Sequence, residues 1–279
     1  MKINSIVLEN NQLKVEILPE LGGRISSIIY KPKNKNWVWK NINNSVSKVK
    51  DGKNYDDNWQ GGWEELFPND KVETFSWGTG YDHGELWFNT WNILNLNKNK
   101  VSLEINNLES GTKFVKTISI ENSTIYTKYS ADISFKDHFL FKLHLAIPLE
   151  EKLYISVEHS NLEKVEKKFG NILETSKTSY FLEPQKDTGL FDFAYLNNAE
   201  NYVKIIDSKK NVMELAFENT TLEYFWIFQS QGGWRNHNVV VLEPCSNGKK
   251  IISEAVNHNQ AKKGPSLFST SYQVKFSNL

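Results

Sequence analysis

The sequence predicts an all-β protein, and three observations support that fold class. Apolar residues alternate with polar ones along most of the chain, which is the pattern of strands with one buried face. Aromatic residues make up 13% of the 279 residues, and no Pro/Gly/Ser-rich linker divides the chain. The best helical candidate, Leu162–Phe169, is short. We therefore expect a β-sandwich or barrel that forms a single domain over residues 1–279.

The predicted strands follow one another at short spacing, with turn residues between them. The alternating apolar residues of the N-terminal half are Leu13, Val15 and Ile17, then Val101, Leu103 and Ile105, then Phe114, Ile118 and Ile120. The strands predicted in the C-terminal half are Tyr202–Asp207, Val212–Phe217, Leu222–Phe228, Asn238–Leu242, Lys250–Val256 and Tyr272–Phe276.

The segment His138–Ile147 is the most informative predicted strand, because its two faces differ. One face carries Phe139, Phe141, Leu143 and Leu145, and the other carries Lys142 and His144. We therefore expect His144 to line a groove rather than the core.

Composition excludes several classes of protein. Lys plus Arg and Asp plus Glu both number 33, so the net charge is zero and no nucleic-acid partner is expected. The single cysteine, Cys245, cannot form an internal disulfide. Neither a signal-peptide pattern nor an apolar run long enough for a membrane span is present, so we expect a cytoplasmic protein without a membrane partner.

Three motifs carry candidate chemistry. The segment Asn58–Asn69 supplies Trp rings that can stack on a sugar, with Asn and Glu side chains for its hydroxyls, although the same Trp residues could simply fold a loop onto the core. His83 precedes a glycine and can project from a turn as a proton donor, or it is an ordinary surface histidine. Glu243 ends an apolar run, where burial raises the pKa of a carboxyl, unless it forms a strand-end salt bridge.

A metal site has little support in the sequence. His83, His144 and Glu243 could in principle form a two-histidine, one-carboxylate site, but no metal-ligand spacing accompanies them. No phosphate-cradling glycine loop is present either. We therefore expect neither a metal nor a cofactor.

Several segments together resemble the aldose 1-epimerase (galactose mutarotase-like) family. They occur in the order of the family and span nearly the whole chain. The segments are Leu13–Ser27 with its Gly-Gly turn, Lys35–Trp39, Gly61–Asn69, His83-Gly84 followed by Trp87 and Trp91, the strand-borne His144, and Leu242–Cys245 with its Glu-Pro pair.

The resemblance implies an antiparallel β-supersandwich and cofactor-free interconversion of the α and β anomers of a sugar. By this resemblance Glu243 is the general base, His144 the general acid and His83 a second donor near the ring oxygen. The expected substrate-binding residues are Asn69, Asp192, Trp63, Trp87 and Glu65.

Departures from the family limit the substrate. In the sugar-phosphate branch, arginines occupy the places that Gln60 and Trp87 hold here, and the chain has only two arginines, Arg24 and Arg235. We therefore expect an unphosphorylated sugar as the small-molecule partner of a monomer or homodimer. A carbohydrate-binding protein of the same fold without turnover is the alternative, because a fold does not fix an activity.

Overall fold

The computed structural model describes residues 3–43, 48–49, 54–165, 178–186 and 189–279. Within those ranges the α-helices are α1 (Tyr55–Asn58) and α2 (Ile252–Asn257), and Lys31–Lys33 forms a 3₁₀ turn. The strands in chain order are β1 (Ile6–Glu9), β2 (Leu13–Leu18), β3 (Arg24–Tyr30), β4 (Lys35–Asn36), β5 (Trp63–Leu66), β6 (Thr74–Phe75), β7 (Gly78–Thr79), β8 (Asn92–Asn97), β9 (Lys100–Ile105), β10 (Lys113–Glu121), β11 (Thr124–Ile133), β12 (His138–Phe139), β13 (Lys142–Pro148), β14 (Leu153–Ser156), β15 (Asn161–Lys164), β16 (Ser179–Leu182), β17 (Leu190–Asn197), β18 (Tyr202–Asp207), β19 (Asn211–Phe217), β20 (Tyr224–Gln231), β21 (Asn238–Cys245), β22 (Lys262–Lys263) and β23 (Ser266–Asn278).

Two large antiparallel sheets dominate the described residues. The first has ten strands in the order β1-β2-β3-β5-β13-β21-β20-β17-β15, with β4 beside β3. The second has nine strands in the order β16-β14-β18-β19-β23-β11-β10-β9-β8. The short pairs β12-β22 and β6-β7 lie outside both sheets. This architecture confirms the predicted all-β fold and the antiparallel sandwich.

The two sheets bury a shared hydrophobic core, and the alternation of the sequence sets which residues enter it. Along β10, Phe114 and Ile118 are buried while their neighbours on the strand are half-buried or exposed. They pack in one cluster with Val15 and Ile28 of the first sheet. Removal of this apolar surface from water is the main stabilising contribution to such a sandwich.

The central strands of the first sheet are covered on both faces, so they carry two kinds of buried residue. On β13, Leu143 and Leu145 belong to the core between the sheets. Lys142 and His144 alternate with them and point to the opposite face, where they line a cleft. The predicted two-faced character of this strand is confirmed.

One local prediction was wrong, and a second is contradicted over the part of it that the structure describes. The segment predicted as a strand at Lys250–Val256 contains helix α2, because Ile252 and Ala255 are buried three residues apart, which is helical spacing. The helical candidate Leu162–Phe169 begins instead in strand β15, which pairs with β17, and its residues 166–169 lie outside the described residues. No helix in the described ranges is long and apolar enough to cross a membrane.

Candidate functional site

A cleft of about 290 Å³ opens on the outer face of the first sheet, over β13, β17, β20 and β21. Its size is near the lower end of the range for small-molecule sites. Polar and charged side chains form one part of the cleft, namely Asp56, Asp70, Lys71, His83, Lys142, His144, Glu243 and Lys250. Aromatic side chains form another part, namely Tyr55, Trp59, Phe191, Phe193, Phe228 and Trp234.

Glu243 and His144 meet in this cleft from neighbouring strands. β21 and β13 pair antiparallel, and the two side chains project from the same face of the sheet. His144 Nε2 lies 3.8 Å from Glu243 Oε1, and both residues are buried. An imidazole nitrogen and a carboxylate oxygen thus converge on one point of the cleft.

Lys142 joins two carboxylates at the same place. Its Nζ donates to Glu243 Oε2 at 2.7 Å and to Asp70 Oδ2 at 2.5 Å, and the three side chains are almost fully buried. Burial raises the pKa of Glu243, and the Lys142 charge opposes that rise. Burial is also the largest single effect on Asp70, but the charge and hydrogen bond of Lys142, together with the charges of His83 and Lys71, outweigh it and hold the pKa of Asp70 well below its usual range. Glu243 is therefore the more basic of the two carboxylates.

His83 enters the cleft from a tight turn. It adopts a left-handed conformation with φ of 61°, and the following Gly84 lies so close to the Phe67 carbonyl that a Cβ would clash with it. Asp82 Oδ1 lies 2.8 Å from His83 Nδ1, and the His83 ring stacks on Tyr55 with centroids 3.9 Å apart. The turn therefore fixes the His83 ring against the side of the cleft.

A hydrogen-bonded chain lies behind His144. The Tyr55 hydroxyl lies 3.2 Å from His144 Nδ1 and donates to Glu64 Oε1 at 2.5 Å. Glu64 Oε2 in turn lies 3.1 Å from the Arg24 guanidinium. Burial raises the pKa of Glu64, against the Arg24 charge and the Tyr55 hydrogen bond. Burial, together with the nearby Lys142 charge, lowers the pKa of His144 well below its usual value.

Of the predicted site residues, the structure brings His83, His144 and Glu243 together in the cleft. The roles assigned to these three residues stay predictions. The remaining five residues do not line the cleft, and each has a structural reason for its position.

Trp63 and Glu65 lie on the wrong face of β5 for sugar binding. Trp63 belongs to the core, and its indole nitrogen donates to the Ala146 carbonyl. Glu65 accepts hydrogen bonds inside the sandwich from Lys116 at 2.6 Å and from Tyr129 at 2.5 Å. Because alternate residues face opposite ways, Glu64 lies on the cleft side instead.

Asn69, Trp87 and Asp192 are also buried away from the cleft. Asn69 donates to the Lys71 and Tyr81 carbonyls and so ties together the loop that carries Asp70. Trp87 packs edge-on against Tyr55 and donates to the Asp82 carbonyl. Asp192 contacts Lys164 at 3.1 Å, whereas its strand neighbours Phe191 and Phe193 line the cleft.

Several cleft residues escaped the sequence analysis. Lys142 offered a signal, because it shares a face with His144, but its partners Asp70 and Glu243 are distant in sequence. Nothing in the local sequence marks Tyr55 or Glu64 as neighbours of His144. Among the described residues, no group of three or more His, Cys, Asp or Glu side chains is arranged to hold a metal ion.

Comparison with known proteins gives the class of fold. No protein-family model and no curated protein matches the sequence. A candidate aldose 1-epimerase from Escherichia coli K12 matches in structure with a TM-score of 0.74 at 13% identity, over all of both chains. A galactose mutarotase-like protein from Lactobacillus casei matches with a TM-score of 0.71 at 14% identity, over 98% of this chain and all of that chain.

A galactose mutarotase-like protein from Clostridium acetobutylicum matches with a TM-score of 0.70 at 13% identity, over 100% of this chain and 96% of that chain. The chain therefore has the galactose mutarotase-like fold. This confirms the fold that the sequence motifs implied. The solved structures that share the fold carry the names of the family that those motifs resemble.

Proposed function

We propose that the protein is an aldose 1-epimerase (mutarotase) that interconverts the α and β anomers of an unphosphorylated aldose. One observation carries the proposal, namely the 3.8 Å separation of Glu243 Oε1 and His144 Nε2 in the cleft. The anomeric hydroxyl and the ring oxygen of an aldose are bonded to the same carbon. A base and an acid this close together can therefore serve both oxygens at once.

The reaction needs two proton transfers and no cofactor. Glu243 Oε1 removes the proton of the anomeric hydroxyl while His144 Nε2, in the imidazolium form, gives a proton to the ring oxygen. The bond between the anomeric carbon and the ring oxygen breaks, and an open-chain aldehyde forms. After rotation of the aldehyde, His144 takes back the proton of the ring hydroxyl and Glu243 returns its proton to the carbonyl oxygen. The ring recloses as the other anomer.

The rest of the cleft suits a free sugar. Aromatic rings such as Phe193 and Trp234 can pack on the C–H faces of the ring. Neither arginine lines the cleft, since Arg24 is buried beneath it and Arg235 pairs with Asp57 at 2.7 Å. A bidentate guanidinium clamp for a phosphate is therefore absent from the described part of the cleft.

The decisive experiment is anomerisation of a panel of free aldoses, followed by NMR, with wild-type protein and Glu243→Gln. Glutamine keeps the volume of Glu243 but cannot take the proton. We expect kcat to fall by about 10²–10⁴, the usual effect of losing a positioned acid or base, while the sugar still binds. The matched control is Glu183→Gln, which alters an exposed carboxylate paired with Lys152 and should leave the rate unchanged.

The outcomes separate the two candidate functions. A folded and fully active Glu243→Gln variant would remove the proposed base. A wild-type protein that binds aldoses without accelerating the anomerisation of any of them would instead be a carbohydrate-binding protein, which the aromatic lining of the cleft also suits.

A further inference from the structure

The chain of side chains behind His144 fixes more than the position of its ring. Tyr55 stands at the start of α1, and its hydroxyl lies between Glu64 Oε1 at 2.5 Å and His144 Nδ1 at 3.2 Å. All three side chains are buried. A hydroxyl has one proton to donate, so it can donate to only one of these two neighbours.

The charge of Arg24 decides where that proton points. The guanidinium is buried, stays protonated in proteins, and lies 3.1 Å from Glu64. An ionised Glu64 balances this buried charge, and an ionised carboxylate can only accept. The Tyr55 hydroxyl therefore donates to Glu64. Its oxygen is left as an acceptor, so His144 Nδ1 must carry a hydrogen.

We propose that Tyr55 and Glu64 are positioning residues that hold His144 in the tautomer protonated at Nδ1. In that tautomer Nε2, the nitrogen that faces Glu243, is the only ring atom that gains or loses a proton in the cleft. The tautomer itself does not depend on any reaction, but its use in turnover rests on the proposed mutarotase function.

Glu64 offsets part of the cost of charging His144, whose pKa burial lowers well below its usual value. The ionised Glu64 lies behind the ring, 4.0 Å from Nδ1, and acts on an imidazolium as the buried Asp of a catalytic triad does. The other charged and titratable groups around His144 are Glu243, Lys142, Asp70 and His83 toward the cleft, and Arg24 beyond Glu64. Burial opposes the imidazolium most, followed by the charges of Lys142, His83 and Arg24, and the Asp70 charge favours it.

The direct test is nitrogen NMR of histidine side chains in the ¹⁵N-labelled protein. The chain has six histidines, and the spectrum of a His144→Gln variant identifies the lost signals. We expect neutral His144 to show a protonated Nδ1 and an unprotonated Nε2. In Tyr55→Phe the Nδ1 partner is gone, so the Nε2-protonated form should become populated.

Activity gives a second readout. Tyr55→Phe should lower kcat between about 10- and 10⁴-fold, the range seen when the partner that orients a histidine is lost. KM should stay within about twofold, because the hydroxyl faces His144 and not the sugar. The matched control is Tyr180→Phe, since the Tyr180 hydroxyl lies 2.9 Å from His159 Nε2 outside the cleft. That variant should leave His144 and kcat unchanged.

Each result supports or overturns the proposal. A wild-type spectrum with the proton on Nε2 would overturn it without any variant, even in an active enzyme. An unchanged His144 signal in Tyr55→Phe would also overturn it. If the spectra behave as expected but wild-type protein accelerates no anomerisation, the positioning role stands and the proposed function fails.

Discussion

Lys142→Met should destabilise the protein strongly, because it leaves two carboxylates without their shared cation. The Lys142 ammonium lies 2.5 Å from Asp70 and 2.7 Å from Glu243, and all three side chains are almost inaccessible to solvent. Methionine keeps most of the packing of the lysine stem. Removing one partner from a buried ion pair costs about 3–5 kcal/mol. We therefore expect the free energy of unfolding to fall by about that amount.

The measurement is denaturant unfolding at pH 7, with a thermal midpoint on the same preparation. At about 2.1 cal/mol/K per residue, the loss corresponds in a chain of 279 residues to a drop in Tm of about 5–9 °C. Lys152→Met is the matched control, because the Lys152 pair with Glu183 at 2.8 Å is largely exposed. Exposed pairs of this kind contribute about 0–1 kcal/mol.

A double variant identifies the cause of the loss. Asp70→Asn in the Lys142→Met background removes one of the two unpaired charges and should recover part of the stability. Activity should fall as well, since the pKa of Glu243 rises further without the ammonium and less of it is ionised at pH 7. A Lys142→Met variant that is no less stable than Lys152→Met would contradict the assigned role of the buried ammonium.

Three further predictions follow from the same cleft. Because the pKa of His144 is lowered, its imidazolium loses the proton at a lower pH than an ordinary histidine does. We therefore expect kcat/KM to decline with rising pH from below about pH 6.5, the usual pKa of histidine. A decline only above that pH would contradict the assignment of His144 as the general acid. Because folding lowers the pKa of Asp70, its carboxylate stabilises the folded state above pH 3.8, its ordinary pKa, and this stabilisation is lost as the pH falls toward the pKa in the folded state. The free energy of unfolding should therefore drop in acid, and it should drop less steeply in Asp70→Asn. Free glucose or galactose should have a higher kcat/KM than glucose 6-phosphate; a preference for the phosphate would mean that Lys71 and Lys250, which line the cleft, bind it.

Period-two patterning predicted most of the fold, because both large sheets bury one face against the other. The strand prediction was wrong at Ile252 and Ala255, where two buried residues three positions apart lie on one side of a helix. A short apolar segment satisfies helical and strand spacing equally well, and only its tertiary contacts decide between them.

The same alternation placed His144 on the less apolar face of β13, whereas Glu243 was singled out because it ends the apolar run of β21. It could not orient β5, which has four residues, all buried, and two adjacent glutamates. There the sequence analysis favoured Glu65, which faces Lys116 in the core, over Glu64, which faces the cleft side. The sequence did not indicate that Tyr55 and Asp70 belong to the site, because only the folded chain brings them beside β13.

The arrangement of charges explains how Glu243 can remain a base although a lysine contacts it. A lysine paired with Glu243 alone would hold its proton affinity down and make it a poor acceptor. Lys142 is shared with Asp70, whose pKa is held well below its usual range while that of Glu243 is raised. Asp70 therefore balances much of the ammonium charge and stays ionised. The Glu243 oxygen that lies away from Lys142, Oε1, faces His144 and keeps the basicity that proton removal requires.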